Sequence, residues 1–163
     1  MLTMKRTLRE ILKDDEEAPI ADAELDDAVW LALCEKIPGP NDLQQFQFPV
    51  TVYYASRLLQ WEVGNGGFAQ AAFNVPEWFE LAAVGYHALG KTAAESMILE
   101  VKRCLPDNEE TVRQLRAGEI EWEDYFVDHD FSVYDERAYA SEEWEIDIER
   151  IAYVRANREA FMI

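Results

Sequence analysis

Between two stretches with helical spacing, the chain places Gly64, Asn65, Gly66 and Gly67 in succession. Glycine inside a regular element costs about 0.5–1 kcal/mol, because it gives up more backbone freedom than any other residue. This block therefore marks a place where the backbone turns sharply, adopts positive φ or lets another group come close. Before it, Val52, Ala55, Leu59 and Val63 recur at helical spacing, and Pro49 is suited to the first turn of that helix. Beyond it, Phe68 to Phe73 reads as a second, short helix. The block predicts a helix–turn–helix corner with at least one positive-φ glycine and Phe68 buried beneath the turn.

The rest of the chain also carries helix signals. Residues 2–13 have an amphipathic pattern and lead into an acidic loop; residues 1–21 together read as a loosely packed N-terminal arm. Asp22 is a candidate N-cap for a helix over 23–37, in which Leu25, Ala28, Val29, Ala32, Leu33 and Ile37 share a face. Pro76 opens a helix ending at Gly90, the usual C′ residue. Thr92 and Glu95 have the spacing of a capping box for a helix to about Leu105. Asn108 is a candidate cap for a shorter helix that ends at Gly118. A short helix is expected near Phe131–Tyr139, and Ser141 would cap a last one to about Phe161. There is no internal repeat and little strict alternation. These signals predict an all-α fold, a single compact multi-helix domain over 1–163.

Composition bounds the function classes. A 49% hydrophobic content with five Trp, seven Tyr and eight Phe excludes a wholly disordered chain. No apolar run approaches the ~20 residues that span a bilayer. The first residues have no apolar core or small-residue cleavage site, so a cytoplasmic protein is expected. Cys34 and Cys104 lie in apolar helical contexts and are expected to be buried free thiols. The net charge of −18 is unevenly spread: residues 14–27 hold eight carboxylates and no base, and residues 119–149 carry thirteen carboxylates against Arg137 alone, a net −12. Such a field repels phosphate backbones and anionic membrane surfaces while steering basic partners toward it. Neither direct nucleic-acid binding nor membrane binding is expected.

Catalytic signals are sparse. Gly64, Gly66 and Ala69 formally match a dinucleotide-binding fingerprint, but that motif must follow a strand, and the preceding ASRLLQWEV reads as helix. His129 lies between Asp128 and Asp130, yet His87 is the only other histidine and no calcium-loop pattern appears. A solvated acidic loop is the better reading. No catalytic residue, cofactor or metal site is assigned. Glu62 and Gln70, flanking the glycines, are expected to hydrogen-bond the exposed backbone amides of the turn. Asp147, near the apolar stripe formed by Trp144, Ile148 and Ile151, is expected to pair with Arg150 or another basic group.

Glu62-Val63-Gly64-Asn65-Gly66-Gly67-Phe68-Ala69-Gln70, followed by Asn74, resembles the E-V-x-N-G-G-F-x-Q signature of a bacterial family of unknown-function domains. That family includes the acidic DNA-mimic protein of Neisseria, which binds a transcriptional regulator. HALGKTAAESM and DFSVYDERAY are similar to further blocks of the family, so the resemblance runs from about Trp61 onward. The chain departs from the pattern in carrying Ala71 and Ala72 where bulky aromatic residues are usual. The resemblance implies an all-helical fold and a DNA mimic that docks a basic DNA-binding regulator. It marks Glu62, Asn65, Gly66, Gly67, Phe68 and Gln70 as the structural motif.

The charge pattern supports the same direction independently. Duplex DNA presents one charge per ~1.7 Å of axis, whereas carboxylates at i, i+3 and i+4 of a helix are ~5–6 Å apart. An acidic helix face can thus imitate one phosphate row. Glu142, Glu145 and Glu149 would share such a face, and with Asp124, Asp128 and Asp130 they form the expected surface for a basic protein partner, from a monomer or a homodimer. Two other accounts stay open: helix-dipole compensation with solubility alone, and a different function. The latter is either a small enzyme with a pocket at the Glu62–Gln70 corner or an antidote-type partner of one specific protein.

Overall fold

The computed structural model describes residues 6–105, 109–125 and 130–163, and every regular element among them is helical. Asn108, expected to cap a helix, and Asp128 and His129 of the acidic loop lie outside the described residues. The chain divides into two contact units, Met1–Tyr54 with Ile146–Ile163, and Ala55–Glu145.

In the first unit, α1 (Leu8–Glu17) starts at a capping box between Thr7 and Glu10. The Glu10 amide donates to the Thr7 hydroxyl, and the Thr7 amide donates to Glu10 Oε2 at 2.8 Å. Leu8, Leu12 and Asp15 are buried on one side of this helix. In α2 (Asp22–Cys34), Leu25, Val29 and Leu33 are buried; Asp22 is its first residue rather than a side-chain cap. A 3-10 turn, Pro40–Gln45, leads to α3 (Phe48–Asn74), whose opening turns carry Val50, Tyr53 and Tyr54 into the core. The unit is completed by α9 (Asp147–Ala156), packed on α2, and by α10 (Arg158–Phe161), packed on α1.

Buried charge in this unit is closely matched. Asp15 is fully buried and accepts from Arg155 Nε at 3.1 Å, Arg158 Nη2 at 2.7 Å and the Ile20 amide at 3.1 Å. Burial alone would raise its pKa, but these donors outweigh burial and hold it at about 2. Arg150, also fully buried, pairs with Asp147, as the sequence leads one to expect, and its Nε lies 3.9 Å from Asp26. Asp26 in turn accepts from the Tyr53 hydroxyl at 2.8 Å.

The second unit contains the rest of α3, a 3-10 turn Pro76–Trp78, α4 (Phe79–Ala88), α5 (Thr92–Lys102), α6 (Glu109–Arg116), α7 (Trp122–Tyr125) and α8 (Ser132–Tyr139). Gly90 has φ +76° and closes α4 in a Schellman arrangement, its amide bonding to His87 O and that of Lys91 to Tyr86 O, both at 2.9 Å. The Thr92–Glu95 capping box does not form. The Ala93 and Ala94 amides instead donate to Glu143 Oε2, at 2.8 and 3.4 Å, and Glu95 sits 2.8 Å from His87 Nδ1.

Two further expectations are corrected. The last long helix starts at Asp147, not at Ser141, because the Trp144 carbonyl accepts from the Tyr86 hydroxyl at 3.1 Å instead of joining a helical ladder. Ile148 is consequently no part of an apolar stripe and is 73% exposed. The cysteines are free but not buried: Cys34 is exposed and Cys104 half-buried. Among the described residues, no helix is long and apolar enough to cross a membrane.

Asp15→Asn should destabilise the protein by about 3 kcal/mol in urea titrations, since it leaves two arginines facing a neutral group. The carboxyl's pKa is lowered by folding, so its contribution is complete above the ordinary value of 3.8 and lost as pH falls toward about 2. Wild-type stability should therefore drop across that window by more than the stability of Asp15→Asn does.

Candidate functional site

The glycine block is a corner, built by two consecutive residues. Phe48–Asn74 holds helical torsions except at Gly66 (φ −165°, ψ 24°) and Gly67 (φ 74°, ψ −177°). Gly67 occupies the left-handed half of the map, where a side chain is disfavoured. A Cβ there would also lie 2.8 Å from Asp135 Oδ1. At Gly66 the extended φ suits any residue; what requires glycine is the Gln70 side chain folded over it, whose Cβ would lie 2.9 Å from an added Cβ. Gly64 is helical, with open space where a Cβ would project.

Phe68 emerges from the corner fully buried, as the sequence predicts. Its amide, now the first free donor of a new helix segment, donates to Asp135 Oδ1 at 2.7 Å. Asp135 is thus the cap of this segment, supplied by α8. It sits 67 residues away in sequence, so no local pattern reveals it.

Glu62 and Gln70 act differently from the expectation. Glu62 is buried, and its Oε2 accepts from Gln70 Nε2 at 3.2 Å and Asn74 Nδ2 at 2.8 Å. These side chains tie the two arms of the corner to each other and are not spent on the turn's amides. Arg116 adds a bond from its Nη2 to the Asn74 carbonyl at 2.8 Å, holding the end of α3.

The six carboxylates assigned to partner binding fall in different settings. Asp124 in α7 is exposed. Asp130 is exposed, but its Oδ1 accepts from the Ser132 amide at 3.0 Å and from the Ser132 hydroxyl, just ahead of α8. Asp128 lies outside the described residues. Glu142 and Glu145 are exposed in the turn and the irregular stretch that precede α9, whereas half-buried Glu149 lies in α9 itself. The three glutamates therefore do not form one helical row. Across 119–145, other acids are engaged: Glu119 is held by Arg113 at 2.7 Å, Asp135 by the Phe68 amide and Glu143 by the start of α5.

A different set remains. Glu121, Glu123, Asp124, Glu136, Glu142 and Glu145 are exposed and make no ion pair with any described residue. Among the described residues, no group of three or more metal-binding side chains is found.

These features define an all-helical acidic chain with a glycine-hinged corner. A family model described as DMP19-like protein matches residues 44–157, more than half of the chain, and the chain belongs to that family. It is the family to which the glycine block points. No curated protein and no solved structure matches.

The four-residue block is expected to respond very unevenly to substitution. Gly67→Ala should lower stability by more than about 1 kcal/mol, through positive φ and the approach of Asp135. Gly64→Ala, at an open helical position, should raise it by up to about 1 kcal/mol. Urea midpoints of the two variants decide the matter; equal effects would contradict this reading of the corner.

Proposed function

We propose that this protein is an acidic protein-binding module, a DNA mimic that docks a basic DNA-binding regulator by occupying its DNA site. The observation that carries the reading is the set of exposed carboxylates in residues 119–149 that make no ion pair among the described residues. Placing like charges close together costs a few tenths of a kcal/mol per pair on a helix. Glu119, Asp130, Asp135, Glu143 and Asp147 are spent on caps and arginines, whereas Glu121, Glu123, Asp124, Glu136, Glu142 and Glu145 are charge left over for a partner. Family membership supports the same direction.

Of the residues that the sequence assigns to this surface, Asp124, Glu142 and Glu145 belong to this set; Asp130 accepts from Ser132, Glu149 is half-buried and Asp128 lies outside the described residues, so the surface is defined by charge rather than as a helical row. The partner's complement would be lysines and arginines that otherwise neutralise phosphates. Steering by such a field acts chiefly on the association rate. Its reach shrinks with salt, because the Debye length is about 8 Å at physiological ionic strength.

The triple variant Glu142→Gln, Glu145→Gln, Glu149→Gln tests it. Proteins captured by the wild-type chain from a bacterial lysate at low salt are identified, and a basic DNA-binding regulator among them is then titrated. The expected result is weaker, slower binding by the triple variant, a gap that narrows at high salt, and competition by duplex DNA. Equal affinity of the two proteins at both salt concentrations would leave the acidic surface as a solubility device.

A further inference from the structure

The glycine corner also presents a reactive pair. Asn65 and Gly66 are both exposed at the point where the chain leaves helical torsions. The Asn65 side chain makes no hydrogen bond with any described residue. Two other asparagines differ: Asn74 Nδ2 is held by Glu62 at 2.8 Å, and Asn157 Nδ2 by the Tyr153 carbonyl at 2.9 Å. Of the described asparagines, only Asn65 is followed by glycine. That matters chemically, because the next residue's backbone nitrogen can reach the side-chain carbonyl in a five-membered ring, and glycine puts no Cβ in its way.

We propose that Asn65–Gly66 is a self-modification site at which the folded protein deamidates. The Gly66 nitrogen attacks Asn65 Cγ. A new C–N bond forms, the Cγ–Nδ2 bond breaks, and ammonia leaves with the proton lost by the Gly66 amide. Water then opens the succinimide at either carbonyl, giving aspartate or isoaspartate. One water is consumed, one ammonia is released and one negative charge is gained; no oxidant or cofactor takes part.

The two products have different consequences. Aspartate adds a carboxylate at an exposed position and leaves the backbone as it was. Isoaspartate inserts a methylene into the main chain directly before Gly66 and Gly67. The corner's register is then lost: Gln70 no longer fits over Gly66, and the Phe68 amide no longer meets Asp135. The site is thus an ageing step that acts on the hinge of the second unit.

The test is incubation of the folded protein at mildly alkaline pH and body temperature, followed by peptide mass spectrometry. Trypsin releases Leu58–Lys91, which contains both Asn65 and Asn74 and so holds its own control. The expected result is an amide-to-acid mass gain at Asn65 at least about tenfold faster than at Asn74, a barrier difference of about 1.4 kcal/mol. Asn65→Gln should abolish the gain, and isoaspartate-specific methylation should label the aged wild type. Equal conversion of the two asparagines, no conversion, or conversion only in urea overturns the proposal. The isoaspartate fraction should melt below both fresh wild type and Asn65→Asp; identical melting overturns the claimed effect on the corner.

Discussion

The second unit depends on where Phe68 is placed, and Phe68 is placed by the backbone of Gly66 and Gly67. From the corner its ring lies 5.3 Å from that of Trp144, 6.2 Å from Tyr134 and 6.4 Å from Phe79. Trp144 is stacked at 5.2 Å on Tyr86, whose hydroxyl reaches back to the Trp144 carbonyl. Each such aromatic pair adds about 0.5–1.5 kcal/mol beyond the area it buries. α3, α4, α8 and the segment before α9 therefore meet around one side chain. A helix running straight through residues 64–67 would point Phe68 elsewhere and leave that cluster without its centre.

Charge in this chain has two distinct uses. Asp15 and Asp26 are taken out of water and matched by arginines or a tyrosine hydroxyl, where loss of one partner is costly. On the surface, Arg113 bridges Glu110 and Glu119, and Arg137 holds Glu100. Pairs of this kind are worth about 0–1 kcal/mol and fix local geometry more than stability. Arginines beside them lower the pKa of Glu100, Glu110 and Glu119, so these acids stay ionised. Six described carboxylates of residues 119–149 have neither arrangement, and the same holds for Glu16, Glu17, Glu24 and Asp27 near the start of the chain.

Much of this fold was legible because its signals are local. The helical spacing before the glycines, the positive-φ corner, Gly90 as a C′ residue and the pairing of Asp147 with Arg150 all follow from residues within a few positions of each other. The failures share one cause as well. Thr92 and Glu95 have the spacing of a capping box, but Glu143 takes the amides of Ala93 and Ala94 and the Glu95 amide bonds to the Lys91 carbonyl. Ser141 looks like a cap, but the Trp144 carbonyl is claimed by Tyr86. Cys34 has an apolar neighbourhood in sequence yet faces outward. At the candidate site, Glu62 and Gln70 stood out as the residues flanking the turn but not as partners of each other, and Asp135 did not stand out at all, because its partner is 67 residues distant.

The ion pairs of the first unit bear on the order in which the protein can assemble as it is made. Asp15 is joined to Arg155 across 140 residues and to Arg158 across 143. Asp26 lies against Arg150. Chains fold as they emerge, beginning from the N-terminal side, so α1 and α2 leave the ribosome long before the cations that neutralise their buried carboxylates. Until then those aspartates must stay hydrated, and the apolar sides of α1 and α2 cannot be sealed. The second unit, contiguous from Ala55 to Glu145, waits almost as long, because its aromatic cluster needs Trp144, and closure of the first belongs to the passage of Arg150, Arg155 and Arg158 out of the ribosome.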